Sequence, residues 1–112
     1  MKQSPTSRTL KWLREQGHHA AVVERWNPYA KIRQDVWGFA DILSFHPLGE
    51  VVLVQCTSGS NHAARMAKIR ENPIAAEWMR NHPIWVVSWA KQGARGKRKT
   101  WTVRREVVTN GK

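Results

Sequence analysis

Two short apolar runs place the strongest limit on how this chain can fold. Residues 51–54 read Val-Val-Leu-Val, and residues 84–90 read Ile-Trp-Val-Val-Ser-Trp-Ala, so neither run alternates between apolar and polar positions. Strands of this kind are buried on both faces, as at the centre of a sheet that helices cover. The sequence therefore predicts a central sheet with helices on its faces.

Capping and turn residues define the remaining elements. Ser4 followed by Pro5 marks a helix start, and Gly49 closes the turn between two strands. The predicted elements are a helix at 5–16, strands at 18–26, 39–46 and 50–56, helices at 62–72 and 74–82, and strands at 84–90 and 100–108, with a polar loop or ragged hairpin at 27–35. The order αβββααββ predicts one α/β domain over residues 1–112, with a mixed sheet and a helical crossover between the third and fourth strands.

The charge of the chain is strongly positive and unevenly distributed. Nineteen Lys and Arg face eight Asp and Glu, which gives a net charge of +11. Residues 57–112 hold twelve of the basic and three of the acidic side chains. Such a surface favours a polyanion, and nucleic acid is the partner we expect, although a basic face also aids solubility alone.

Other partners and compartments are disfavoured. No run of about 18 uncharged apolar residues is present, so no membrane partner is expected. One cysteine cannot form a disulfide within the chain, which favours a cytoplasmic location. The Gly-x-x-x-x-Gly-Lys-Ser/Thr pattern is absent, so no nucleotide cofactor is expected.

The predicted hairpin brings two polar residues together. Asp41 lies seven residues before Leu48 and Gln55 lies seven residues after it. Across an antiparallel pair centred on this turn, their side chains should converge at one end of the sheet. Carboxylate and amide oxygens suit Mg²⁺, but Asp41 capping the turn and Gln55 satisfying a strand end is an equally good interpretation.

The order of elements and two short motifs resemble the PD-(D/E)XK nuclease superfamily, in particular its small members that are similar to Holliday-junction resolvases. GFAD, residues 38–41, stands at the Pro-Asp position, and QCT, residues 55–57, stands at the Glu-x-Lys position. The resemblance covers about residues 5–90. It implies a restriction-endonuclease-like fold, a Mg²⁺ or Mn²⁺ cofactor, cleavage of DNA that includes branched DNA, and a homodimer.

The resemblance also implies roles for single residues. Asp41 would be the principal metal ligand, Gln55 would take the second ligand position, and Cys56 would offer its backbone carbonyl. A further acidic residue is expected from the first helix or strand. Glu24 is preferred there to Glu15, and Asp35 is a further candidate.

Two positions depart from the family pattern. Gln55 lacks the charge of the usual Glu, and Thr57 stands where a Lys positions the attacking water and stabilises developing charge. Lys68, or with slightly less preference Lys31, is the candidate replacement, although such lysines are more often plain surface residues.

Candidate nucleic-acid contacts lie in three segments. A turn at 57–61 that opens a helix could hold a backbone phosphate, a loop at 27–35 carries two basic residues between Trp26 and Trp37, and the stretch 91–105 carries seven basic residues. The candidate residues are Ser58, Ser60 and Asn61 in the turn, Lys31 and Arg33 in the first loop, and Arg95, Lys97, Arg98 and Lys99 in the second. Two alternatives to the nuclease follow: a nuclease fold without catalysis that binds DNA or RNA, and an RNA-binding protein that uses 91–105.

Overall fold

The protein is a mixed α/β structure, as the order of elements predicts. The computed structural model describes residues 3–93 and 95–109, so Ala94 and both ends of the predicted 1–112 domain lie outside the described residues. The helices are α1 (Pro5–Glu15), α2 (His62–Arg70) and α3 (Pro73–Trp78). The strands are β1 (His19–Val22), β2 (Arg25–Asn27), β3 (Ile32–Gln34), β4 (Ile42–Phe45), β5 (Val51–Ser58), β6 (Ile84–Gln92) and β7 (Thr100–Val107).

Five of these strands form the central sheet, in the order β1-β4-β5-β6-β7. Neighbouring strands are antiparallel except for β5 and β6, which are parallel. A parallel pair needs a crossover, and α2 with α3 supplies it. The mixed sheet and its helical crossover confirm those two predictions.

The two faces of the sheet hold separate apolar clusters. Leu13 of α1 packs with Val52 and Val54 on one face, whereas Met66 and Ile69 of α2 pack with Leu53 on the other. Residues 52–57 of β5 are all buried, because helices cover both sides of this strand. The prediction that β5 and β6 are central strands is confirmed.

The first two predicted strands are too long. The predicted strand at 18–26 ends at Val22, and Arg25–Asn27 pairs with Ile32–Gln34 in a separate two-stranded sheet. The predicted strand at 39–46 begins only at Ile42, because residues 36–40 form a turn closed by a bridge between Val36 and Ala40. The ragged hairpin was therefore the correct alternative for 27–35.

The helical crossover also differs in detail. The sequence predicts Ser60 or Asn61 as the cap of α2, but a 3-10 turn at Gly59–Asn61 precedes this helix and Asn61 makes no side-chain cap bond. Asn72 is the cap that the sequence analysis missed, since its Oδ1 accepts hydrogen bonds from the first amides of α3. Both helices end before their predicted limits, at Arg70 and Trp78. No helix among the described residues is long and apolar enough to cross a membrane.

Candidate metal centre

The β4–β5 hairpin sets Asp41 opposite Gln55. Ile42 pairs with Val54 in this antiparallel ladder, so Asp41 lies opposite Gln55 at the next position outward. The Gln55 side-chain amide donates a 2.8 Å hydrogen bond from Nε2 to Asp41 Oδ2. Both side chains are almost fully enclosed, with 3% of Asp41 and 2% of Gln55 exposed. The predicted convergence of these two side chains is confirmed.

A backbone bond fixes the carboxylate further. The Cys56 amide donates to Asp41 Oδ2 at 2.7 Å. The thiol of Cys56 lies on the opposite face, in the apolar cluster under α1, and burial raises its pKa. The thiol is therefore no candidate ligand, and the role of the Cys56 backbone carbonyl that the resemblance implies stays a prediction.

Two further carboxyl groups join Asp41. Glu24 follows β1 and Asp35 follows β3, so the β2–β3 hairpin leaves the sheet and returns between them. One carboxylate oxygen each of Glu24, Asp35 and Asp41 lies within 4.8 Å of the others. A 2.8 Å hydrogen bond from the Val23 amide to the Asp41 carbonyl ties the start of this excursion to the sheet. These three residues are called the acidic cluster below.

The surroundings of Asp41 disfavour its ionisation. Burial raises the pKa of Asp41 to about 9, assisted by a hydrogen bond with Asp35 and by the negative charges of Asp35 and Glu24, although the Cys56 amide acts in the opposite direction. Asp41 is therefore protonated at neutral pH when no cation is bound.

One basic side chain reaches the acidic cluster among the described residues. Arg33 Nη1 lies 3.6 Å from Glu24 Oε1, but the Arg33 side chain is largely exposed, so water screens this pair. Neither Asp35 nor Asp41 forms an ion pair within the described part of the chain.

Gln55 leaves one polar atom without a partner. Its Nε2 faces Asp41 and lies 3.4 Å from Asp35 Oδ2, while its Oε1 is buried and accepts no hydrogen bond. A buried carbonyl oxygen without a donor is costly, and a hard cation would satisfy it. The three carboxylates of the acidic cluster form an all-oxygen donor set that fits Mg²⁺ or Mn²⁺. Gln55 would add its Oε1 after a half-turn of its side-chain amide, because Nε2 is the atom that faces Asp41 and Asp35.

Position 57, where the family pattern has a lysine, carries no positively charged side chain. Thr57 is buried on β5 and continues the strand beyond Gln55. Lys68 is exposed on α2, and Lys31 is exposed in the turn between β2 and β3. Neither lysine forms a described ion pair with the acidic cluster, and Glu15, the less favoured acidic candidate, is exposed at the end of α1.

The candidate nucleic-acid residues lie on the surface, outside the acidic cluster. Ser60 and Asn61 are exposed and Ser58 is half-buried, with 3.1 Å between the two serine hydroxyl oxygens. The basic residues of the 91–105 stretch surround the β6–β7 turn, where Arg95, Lys97, Arg98 and Lys99 are all exposed.

A second polar cluster, in which His62 and Ser88 are buried, escaped the sequence analysis. His62 lies between Ser88 and Glu106, with 2.6 Å from Nδ1 to Ser88 Oγ and 2.9 Å from Nε2 to Glu106 Oε1. Arg104 Nη2 donates to the same Glu106 oxygen at 3.1 Å. Ser88 and Glu106 lie 26 and 44 positions after His62 in the chain, so no local sequence pattern connects them with it. Together these residues are called the histidine network below.

Comparison with known proteins adds no relative. No family model, no curated protein and no solved structure matches this chain significantly.

Proposed function

We propose that this protein is a metal-dependent DNA endonuclease of the PD-(D/E)XK type, in which Glu24, Asp35 and Asp41 hold Mg²⁺ or Mn²⁺ together with Gln55. The observation that carries the proposal is the convergence of three carboxylates within 4.8 Å in a chain of charge +11. Basic residues outnumber acidic ones by more than two to one, yet these acids face one another.

Electrostatics make a purely structural role for this arrangement unfavourable. Burying a carboxyl group beside two other acids raises the free energy of the folded state, and the raised pKa of Asp41 reflects this, first through burial and then through Asp35 and Glu24. A divalent cation would remove the repulsion, and a half-turn of the Gln55 amide would bring its unpartnered Oε1 towards that cation. The acidic cluster is therefore better explained by a cation than by packing.

The chemistry follows from the ligands. A hard divalent cation bound here would lower the pKa of a water molecule and stabilise negative charge at a phosphodiester. The Cys56 amide and the Gln55 amide hold Asp41 in one orientation, and helices on both faces of the sheet keep that orientation rigid. Arg33 is the basic residue best placed to take the role of the missing lysine, because it pairs with Glu24 of the acidic cluster.

DNA is the proposed substrate because of the charge distribution. The exposed basic turn between β6 and β7 would contact phosphates without reading sequence. Action on branched DNA and the homodimer both rest on the resemblance alone.

A binding protein without catalysis is the second candidate. Thr57 is 4% exposed, so it can present neither a charge nor an accessible hydroxyl where the family has its lysine. On this alternative, the acidic cluster would retain a cation for structure and the basic turn would still bind DNA or RNA.

A cleavage experiment separates the two candidates. Supercoiled plasmid, a four-way junction and single strands are incubated with Mg²⁺, Mn²⁺ or EDTA, with wild type, D41N and the matched control E50Q. Glu50 lies in the β4–β5 turn, at the opposite end of the same hairpin, and is exposed. We expect metal-dependent cleavage by wild type and E50Q and none by D41N. Equal cleavage by D41N would refute the assignment, whereas binding without cleavage by any variant would favour the second candidate.

A further inference from the structure

The β2–β3 hairpin exposes an unusual amount of aromatic surface. Trp26 is 58% exposed, Tyr29 97% and Trp37 52%. Large aromatic side chains in water normally mark a binding surface rather than a solvated face. The three side chains belong to one excursion of 12 residues, from Trp26 to Trp37, and not to the apolar clusters of the sheet.

These aromatic residues line one pocket. Its volume is about 460 Å³, within the range of ligand sites, and Arg25, Gln34 and Asp35 contribute to its wall together with the aromatic residues. Asp35 is also a member of the acidic cluster. The pocket and the proposed metal centre therefore share Asp35 and are adjacent to each other.

The loop that carries Trp37 is held in a strained conformation. Trp37 has a φ of 56°, in the left-handed region that bulky residues avoid. The Asn72 side-chain amide donates to the Trp37 carbonyl at 2.9 Å, and the Val36–Ala40 bridge closes the turn. Strain of this kind persists where the surroundings fix it, and here it keeps the indole at the mouth of the pocket.

We infer that this pocket binds an unpaired nucleobase of a DNA strand whose phosphate lies at the acidic cluster. The inference rests on the proposed function and adds a substrate class to it, namely DNA with unpaired nucleotides at the cleavage position. Aromatic faces stack on any base, so this contact is independent of sequence. Arg25, Lys31 and Arg33 lie on the same hairpin and complement the charge of the strand. Gln34 accepts a hydrogen bond from Asn27 at its Oε1 and can use Nε2 to donate to a base edge.

Binding without metal provides the test. Fluorescence anisotropy in EDTA compares three labelled oligonucleotides: a single strand, a fully paired duplex, and a duplex with one unpaired nucleotide. Wild type should bind the single strand and the bulged duplex more tightly than the paired duplex at equal salt. W26A and Y29A should each weaken binding of the first two by roughly 10- to 100-fold and leave the paired duplex within about twofold.

Two controls make the result specific. F45A removes an exposed aromatic residue at the far end of β4 and should change none of the affinities. W26F should restore most of the binding, because a phenyl ring still stacks. Replacing the unpaired nucleotide by an abasic site should lower wild-type affinity to the W26A level and have no effect on W26A itself.

The outcomes distinguish this inference from the proposed function. Equal loss on paired and unpaired DNA in W26A and Y29A, or an abasic site that wild type binds as tightly as the intact base, would overturn the pocket assignment even if the protein cleaves DNA. A protein that shows the predicted pattern but never cleaves would retain the pocket and lose the nuclease. Absence of any DNA binding would overturn both.

Discussion

Two polar clusters, each with a buried residue at its centre, lie on this sheet, and they satisfy their polar atoms in opposite ways. In the histidine network, the ring of His62 has a hydrogen-bond partner at each nitrogen, and Arg104 complements the charge of Glu106. In the acidic cluster, three acids face one another and Gln55 Oε1 has no partner.

This contrast separates structure from function. A satisfied network stabilises the fold by joining α2 to β6 and β7, and it needs nothing from outside the protein. An unsatisfied cluster of like charges costs stability and persists only if something else compensates. We therefore expect the two clusters to respond oppositely when their central residues are replaced.

The largest effect is expected from breaking the histidine network. H62A would leave Ser88 Oγ without its partner and open a cavity beneath α2, so the free energy of unfolding should fall by about 2–4 kcal/mol. Thermal and urea unfolding measure this, with E106Q as a control that retains an acceptor for His62. The rise in melting temperature on adding Mn²⁺ should stay the same in H62A. An H62A protein as stable as wild type would show that the network is not structural.

Replacing the central acid should have the opposite sign. In EDTA at pH 8, D41N should raise the free energy of unfolding by about 1–3 kcal/mol, because one pKa unit corresponds to about 1.4 kcal/mol and the new side chain carries no charge. Its amide oxygen can still accept from the Cys56 amide and from Gln55 Nε2, which both donate to one oxygen of Asp41. The same variant should lose the stabilisation by Mn²⁺. A D41N protein that is less stable than wild type in EDTA would contradict the strained state of the acidic cluster.

Features that depend on local geometry could be predicted from the sequence. The turn around Leu48 fixes the hairpin register, so the meeting of Asp41 and Gln55 could be predicted by counting residues. The apolar runs at 51–54 and 84–90 likewise identify the central strands, since burial on both faces leaves a direct mark on composition.

The other features of the two clusters depend on tertiary contacts, which produce no recognisable pattern in the sequence. Asp35 could be named only as a further candidate, because its approach to Asp41 requires the β2–β3 hairpin to leave the sheet and return. The turn at 36–40 includes the first two residues of the strand predicted at 39–46, because its backbone bonds and the Asn72 side chain override the β propensity of Phe39. Ser88 and Glu106 gave no signal, since each meets His62 only after the crossover has folded.

The stability of the protein should depend on pH through Asp41. The pKa of Asp41 is about 9 in the folded protein and about 3.8 when unfolded, so the folded state binds the extra proton between these values. The contribution of Asp41 to stability is therefore greatest below pH 4 and declines as the pH rises towards 9, by at most about 1.4 kcal/mol per pH unit. The difference between D41N and wild type in EDTA should accordingly grow from pH 5 to pH 8. A difference that does not change with pH would mean that Asp41 is ionised in the folded protein.

The smallest effect is expected at Gln55, which donates a hydrogen bond to Asp41 and has a buried oxygen without a partner. Q55E removes the amide that donates to Asp41 and places a fourth carboxyl group against the acidic cluster, so the metal-free protein should be less stable than wild type. The same change should tighten Mg²⁺ and Mn²⁺ binding by about 3- to 10-fold, because a hard cation prefers a charged oxygen to a neutral one. Calorimetric titration measures both ions, with Q92E as the matched control, since Gln92 is exposed at the end of β6. An unchanged affinity in Q55E would place Gln55 outside the ligand set and leave its buried oxygen without an explanation.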